Sequence, residues 1–177
     1  ERYAEPTQDS IPLKGRNYRY AKGQPYTREE YIHGSPTPKI SRFMMGDPKT
    51  TYERRVSLLA GNAVQIRHNA LEAARVAANK VLADKLGETG YFLSLCVYPH
   101  IVLRENRMIA TAGADRLQEG MRRAFGKPSG RAARVRADQP ILSICINRDA
   151  VEHAKKALAI GAGKLPTPCK IVVEKLA

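Results

Sequence analysis

Nine cations stand between Arg104 and Arg136 against three carboxylates. They are Arg104, Arg107, Arg116, Arg122, Arg123, Lys127, Arg131, Arg134 and Arg136. The local excess of six positive charges is nearly half of the +13 carried by the whole chain. Eight of the nine are Arg, whose planar guanidinium fork grips phosphate through two parallel hydrogen bonds and stacks on bases, where Lys offers a point charge. A solvated face would mix the two signs. This stretch reads instead as a polyanion-binding surface. A pI near 9.9 extends that reading to the whole molecule and puts nucleic acid ahead of anionic membrane as the partner.

Other chemistries lack their residues. His33, His68, His100 and His153 are scattered, and no His or Cys spacing suits zinc. Cys96, Cys145 and Cys169 form no C-x-x-C pair, and an odd number argues against a disulfide framework. Cys96 and Cys145 sit in apolar runs and are expected to be small buried hydrophobes in a reducing, intracellular compartment. Ile160-Gly-Ala-Gly-Lys164 is similar to the end of a phosphate loop, but Leu158 stands where the first Gly is needed and Leu165 where Ser or Thr should follow. No G-x-S-x-G elbow occurs, and the carboxylates are few. No catalytic residue, metal or cofactor is expected. The longest charge-free run, Thr89–Leu103, is 15 residues and contains Pro99, whereas a spanning helix needs about 20 apolar residues. No basic-then-apolar signal segment opens the chain.

The elements that would carry the cations follow from pattern. Residues 1–50 hold six of the 11 prolines and five of the eight tyrosines, with no lasting apolar period. Lys14, Arg16, Arg19, Lys22, Arg28, Lys39 and Arg42 alternate there with Tyr, Pro and Gly. Arg16-Asn-Tyr-Arg-Tyr20 interleaves guanidinium with the rings of Tyr18 and Tyr20, a composition that stacks on bases and tracks phosphates. Residues 1–50 are therefore expected to be an extended basic segment ordered by RNA, and residues 51–177 a single α+β RNA-binding domain.

Within that domain, Val56-Ser-Leu-Leu-Ala60 is strand-like, and Asn69-Ala-Leu-Glu72 is a capping-box pattern opening a helix to about Leu86, stopped by Gly87. Leu71, Ala74, Ala78, Val81, Leu82 and Leu86 form its buried stripe, with Arg67 and His68 just ahead of it. Tyr91–Tyr98 is apolar on both faces and reads as a buried strand, resumed by Ile101-Val-Leu103. Asn106–Ala114 has no period and reads as an exposed loop, within a protrusion over 104–116. Asp115-Arg-Leu-Gln118 should cap a short helix ending near Phe125, docked through Leu117, Met121, Ala124 and Phe125. Beyond it, Ala133, Val135 and Ala137 alternate with Arg134 and Arg136, so that arginine faces away from the core. Pro140–Asn147 is another buried strand, Asp149-Ala-Val-Glu152 caps a helix to about Ile160, and 170–175 is a last strand.

Four stretches then become familiar: Tyr26-Thr-Arg-Glu-Glu-Tyr-Ile32, Gln65-Ile-Arg-His-Asn-Ala-Leu-Glu-Ala-Ala-Arg75, Tyr98-Pro-His-Ile-Val-Leu-Arg-Glu-Asn106 and Ala112-Gly-Ala-Asp-Arg-Leu-Gln-Glu-Gly-Met-Arg-Arg-Ala-Phe-Gly-Lys-Pro128. In order, they make the chain resemble the archaeal and eukaryotic large-subunit ribosomal protein family "L ten e", counterpart of the bacterial "L sixteen". Residues 1–11 lie outside that resemblance.

The resemblance implies a two-layer sandwich of the α/β-hammerhead kind and a cytoplasmic place in the large ribosomal subunit. It implies large-subunit rRNA, nearby 5S rRNA, A- and P-site tRNA and neighbouring ribosomal proteins as partners, and a protein that is neither an enzyme nor a homo-oligomer. The loop of Arg104, Asn106, Arg107, Met108, Ile109, Ala110, Thr111, Ala112, Gly113 and Ala114 would reach toward the peptidyl transferase centre. Lys14, Arg16, Tyr18, Arg19, Tyr20, Lys22, Arg28, Lys39, Arg42, Arg67 and His68 would bind rRNA, as would Arg116, Arg122, Arg123, Lys127, Arg131, Arg134 and Arg136. The alternatives are an RNA-modifying enzyme with a basic holding surface, and a DNA-binding module, for which no helix-turn-helix or zinc pattern is present.

Overall fold

The computed structural model describes residues 19–21, 23–106 and 120–176. In chain order they form strand β1 (Met44–Gly46), β2 (Arg54–Ala60), β3 (Val64–Arg67), helix α1 (His68–Leu86), β4 (Phe92–Leu95), β5 (Ile101–Glu105), β6 (Lys127–Val135), β7 (Pro140–Ile146), helix α2 (Val151–Ala162) and β8 (Cys169–Lys175). A five-stranded sheet has the order β1-β4-β7-β2-β8, and a three-stranded sheet the order β3-β6-β5. Every pairing is antiparallel. Helix α2 lies on the large sheet, α1 packs on α2, and α1 also meets β3 and β6 of the small sheet. The expected α+β class holds.

One core runs through both sheets. Val56, Leu58, Leu93, Leu142, Ile144 and Leu158 are all buried completely, each such burial being worth about 1.5–3 kcal/mol. Along α1 the stripe Leu71, Ala74, Ala78 and Leu82 is equally buried, as a 3.6-residue period requires. Gly161, expected to lie beyond the second helix, is instead inside it. A Cβ there would stand 3.4 Å from the Ala74 carbonyl oxygen of α1, so small residues let the two helices approach closely.

The caps differ from the sequence reading. α1 follows β3 directly, Arg67 is its N-cap in extended conformation, and no side chain caps it. Asn69 falls inside the helix, and the Glu72 carboxylate is taken by Arg75 and by the Ser41 hydroxyl at 3.1 Å. That network holds the Glu72 carboxyl below its usual range, through Arg75 first. α2 likewise lacks a side-chain cap, because a 3-10 turn at Arg148–Ala150 feeds it, and Glu152 pairs on the surface with Lys155 at 3.0 Å. The stop at Gly87 is as expected, with φ +69° and its N–H donating to the Ala83 carbonyl.

Two more expectations change. The run 91–98 is not apolar on both faces in effect. Tyr91, Leu93, Leu95 and Val97 are buried while Cys96 and Tyr98 are exposed, and Tyr98 stacks on Phe43 at 5.5 Å. Cys145 is half-buried, and the thiol that burial does push up, to about 11, is that of Cys169.

The described residues from Ile32 to Gly46 do not stand apart from the body. β1 pairs with β4, Phe43 and Met45 pack on the core, and Ile32 and Ile40 are buried. Gly46 shows why only Gly fits there: its φ is +89°, and a Cβ would lie 2.0 Å from the Tyr91 carbonyl oxygen.

Candidate RNA-binding surface

The small sheet carries most of the described cations of the Arg-rich stretch. β6 pairs with β3 from Val64↔Val135 to Arg67↔Ala132, and with β5 from Ile101↔Ala132 to Glu105↔Lys127. Arg131 and Arg134, three residues apart on one extended strand, point to opposite faces.

Both are fasteners. On one face Arg134 donates to the Gln65 side-chain oxygen at 3.3 Å and to the Gly23 carbonyl at 2.9 Å. Gln65 in turn donates to the Tyr20 carbonyl at 3.2 Å. At the sheet edge the Val102 N–H donates to the Tyr26 carbonyl at 2.9 Å. On the other face Arg131 donates to the Pro36 carbonyl at 2.6 Å and the Ser35 hydroxyl at 3.1 Å, and pairs with the Glu29 carboxylate. The described residues between 20 and 39 thus form a strap that bends around the β5 edge and is tied down on both sides.

His68 adds a further tie. Its Nδ1 accepts from the Lys39 N–H at 3.3 Å, which requires that nitrogen to be unprotonated. Burial, then the charges of Lys39, Arg67 and Arg131, hold the ring's pKa below 6.5. His68 and Arg131 are therefore not on an outward RNA-facing ridge; they are 3% and 4% exposed. The reason is that the strap supplies a carboxylate and carbonyl oxygens that a sheet alone lacks.

Arg104 also departs from expectation. It lies in β5, and its guanidinium carbon stands 3.5 Å from the Phe125 ring centre and 4.4 Å from that of Tyr26. Met121 and Phe125, expected to dock on the core, are 82% and 70% exposed. The described part of the short helix is a 3-10 turn, Gly120–Arg123.

The outward cations are Arg122, Lys127 and Arg136, which sit before, at the start of and just after β6, with Arg28, Lys39 and Arg42 exposed on the strap side. Among the described residues no ion pair holds Arg122, Lys127 or Arg136. Tyr20 is exposed, Arg19 and Arg67 are half-buried, and Asn106 is exposed. Lys14, Arg16, Tyr18, Lys22, Arg107, Met108, Ile109, Ala110, Thr111, Ala112, Gly113, Ala114 and Arg116, the Asp115 cap and Leu117 lie outside the described residues, as does the side chain of Arg123. Sequence reasoning missed Tyr26, Glu29 and Phe125 as partners of buried or stacked cations. Glu29 and Arg131 are 102 residues apart, and no local signal joins such positions.

Among the described residues no group of three His, Cys, Asp or Glu could hold a metal. No described helix is long and apolar enough to cross a membrane. The surface presents positive charge at Arg122, Lys127 and Arg136 and exposed rings at Tyr20 and Phe125.

The comparisons with known proteins converge. The family model "Ribosomal protein L16p/L10e" matches residues 21–172. A large ribosomal subunit protein uL16 from Staphylothermus marinus is 54% identical, covering 94% of this chain and 96% of that one. Its namesake from Thermofilum pendens is 49% identical over 93% and 99%, and that from Methanococcus maripaludis 46% identical over 90% and 92%.

Proposed function

Since this chain belongs to the ribosomal protein L16p/L10e family, we propose that it is a structural constituent of the large ribosomal subunit in the cytoplasm. It takes part in translation and associates there with rRNA and neighbouring ribosomal proteins. The observation that carries this is its likeness, along nearly its whole length, to archaeal proteins named as large-subunit components. Those names also favour a structural component over an RNA-modifying enzyme.

The finer reading assigns the surface. Arg122, Lys127 and Arg136, with Arg28, Lys39 and Arg42, neutralise rRNA phosphates, joined by Lys14, Arg16, Arg19, Lys22, Arg67, Arg116 and Arg123, while Tyr18 and Tyr20 stack on bases. Buried Arg131 and His68 and half-buried Arg134 serve the same end by holding the strap. The loop from Asn106 to Ala114 extends toward the peptidyl transferase centre and the acceptor ends of A- and P-site tRNA, and 5S rRNA lies close by. A small sheet that shares α1 and one core with the larger one supports the hammerhead arrangement. Rigid cations of this kind select an RNA by shape more than by sequence.

Reconstituted large subunits test this. The protein stays in salt-washed subunits stoichiometrically, and shortening 106–114 leaves the free protein folded but slows aminoacyl-tRNA accommodation. Wild-type accommodation with the loop shortened would refute the loop's place.

A further inference from the structure

We infer that Tyr26 is a positioning residue for the mouth of the loop that leaves β5 at Asn106, acting through Arg104; this rests on the role proposed above for that loop. The mouth is built from both stems. Arg104 and Glu105 end β5 and pair with Pro128 and Lys127 at the start of β6. Gly126 closes the stem. Its φ is +76°, and a Cβ there would lie 2.9 Å from the Glu105 carbonyl carbon and 3.0 Å from the Asn106 nitrogen.

Phe125, next to that glycine, is 70% exposed and so gets little hold from the core. Its ring is held on one face by the Arg104 guanidinium at 3.5 Å, and it makes a T-shaped pair with Tyr26, with ring centres 6.4 Å apart at 81°. The same guanidinium lies 4.4 Å from the Tyr26 ring centre. Arg104 Nη1 is buried and has no hydrogen-bond partner among the described residues, so at that nitrogen the stacking between two rings orients the group. Tyr26 is in turn anchored by its own main chain, whose carbonyl accepts from Val102 two residues ahead of Arg104. The strap's position therefore passes to the loop's mouth through one cation between two rings. Residues 26, 104 and 125 act as one joint although two of its members are far apart in the chain.

The chain has no Trp, so Phe125→Trp places a single reporter at the joint. In that background Tyr26→Ala raises acrylamide quenching of the introduced indole, with about fivefold more of the open form. Tyr26→Phe, which keeps the ring, leaves quenching unchanged, and Arg104→Met reproduces the effect of Tyr26→Ala. In large subunits carrying native Phe125, Tyr26→Ala slows tRNA accommodation and Tyr26→Phe restores it, at an unchanged unfolding midpoint. Quenching that ignores both Tyr26→Ala and Arg104→Met overturns the inference. So does wild-type accommodation by Tyr26→Ala subunits when loop shortening does slow it. If loop shortening itself has no effect, the functional reading fails first and the inference falls with it.

Discussion

Arg131 and Arg122 are the same side chain nine residues apart, one in β6 and one in the turn before it, and they have opposite environments. Arg131 is almost wholly buried and satisfied by Glu29, Ser35 and Pro36. Arg122 is exposed, and no ion pair among the described residues holds it. Arg75 repeats the first pattern on α1, where it pairs with Glu72 and reaches the Ser41 hydroxyl at 3.0 Å. Lys127 and Arg136 repeat the second. The lesson is that a run of cations is not one surface. A charge removed from water must find a counter-charge inside the protein, and a charge left in water is free to find one on RNA.

The contrast can be broken experimentally. The largest effect belongs to Arg131→Ala, which removes the ties to Glu29, Ser35 and Pro36. The Glu29 side chain is 59% exposed, so the Coulomb share is screened. The lost hydrogen bonds and packing still cost roughly 2 kcal/mol in urea unfolding. A loss below about 0.5 kcal/mol, typical of surface changes, would place Arg131 with the outward set. Glu29→Gln comes next at about 1 kcal/mol, because it keeps hydrogen-bonding capacity but leaves the buried guanidinium without a counter-charge.

Acid provides a third probe. The folded pKa of His68 lies below 6.5, through burial first, so below that pH the unfolded chain takes up a proton that the folded one does not. This contribution is complete above pH 6.5 and is lost as pH falls beneath it, until the folded site protonates too. Unfolding midpoints measured from pH 7.5 down to 5 should fall less in His68→Gln than in the parent. Equal slopes would show that the strap does not depend on a neutral ring.

Much of this architecture was legible in the sequence where its cause is local. The buried stripe of α1 follows from spacing, the stop at Gly87 from glycine's freedom at positive φ, and β2, β5, β7 and β8 from short apolar runs. What escaped has long-range causes. Asn69-Ala-Leu-Glu72 is a faithful capping pattern, yet β3 runs straight into the helix and Arg75 claims the carboxylate. The strap has no period because single residues fasten it: Ile32 by burial, Tyr26 and Pro36 by their carbonyls. Arg131 reads as RNA-facing only because it belongs to the basic stretch, and only the fold brings Glu29 to it. The cations of the candidate surface were visible as a class, and Arg136 as outward, but which of the others are tied inside the protein was not.

The smallest effect on stability carries the most weight for function. Arg122→Ala, Lys127→Ala and Arg136→Ala together should leave the unfolding free energy within about 0.5 kcal/mol of the parent. Binding of each protein to large-subunit rRNA across a salt series then tests the division directly. The triple variant should lose roughly 2 units from the slope of log affinity against log salt, near 0.7 per phosphate contact removed, while Arg131→Ala keeps the parent slope despite its lower stability. An unchanged slope in the triple variant, or a loss of the same size in Arg131→Ala, would contradict the assignment of the outward cations to RNA.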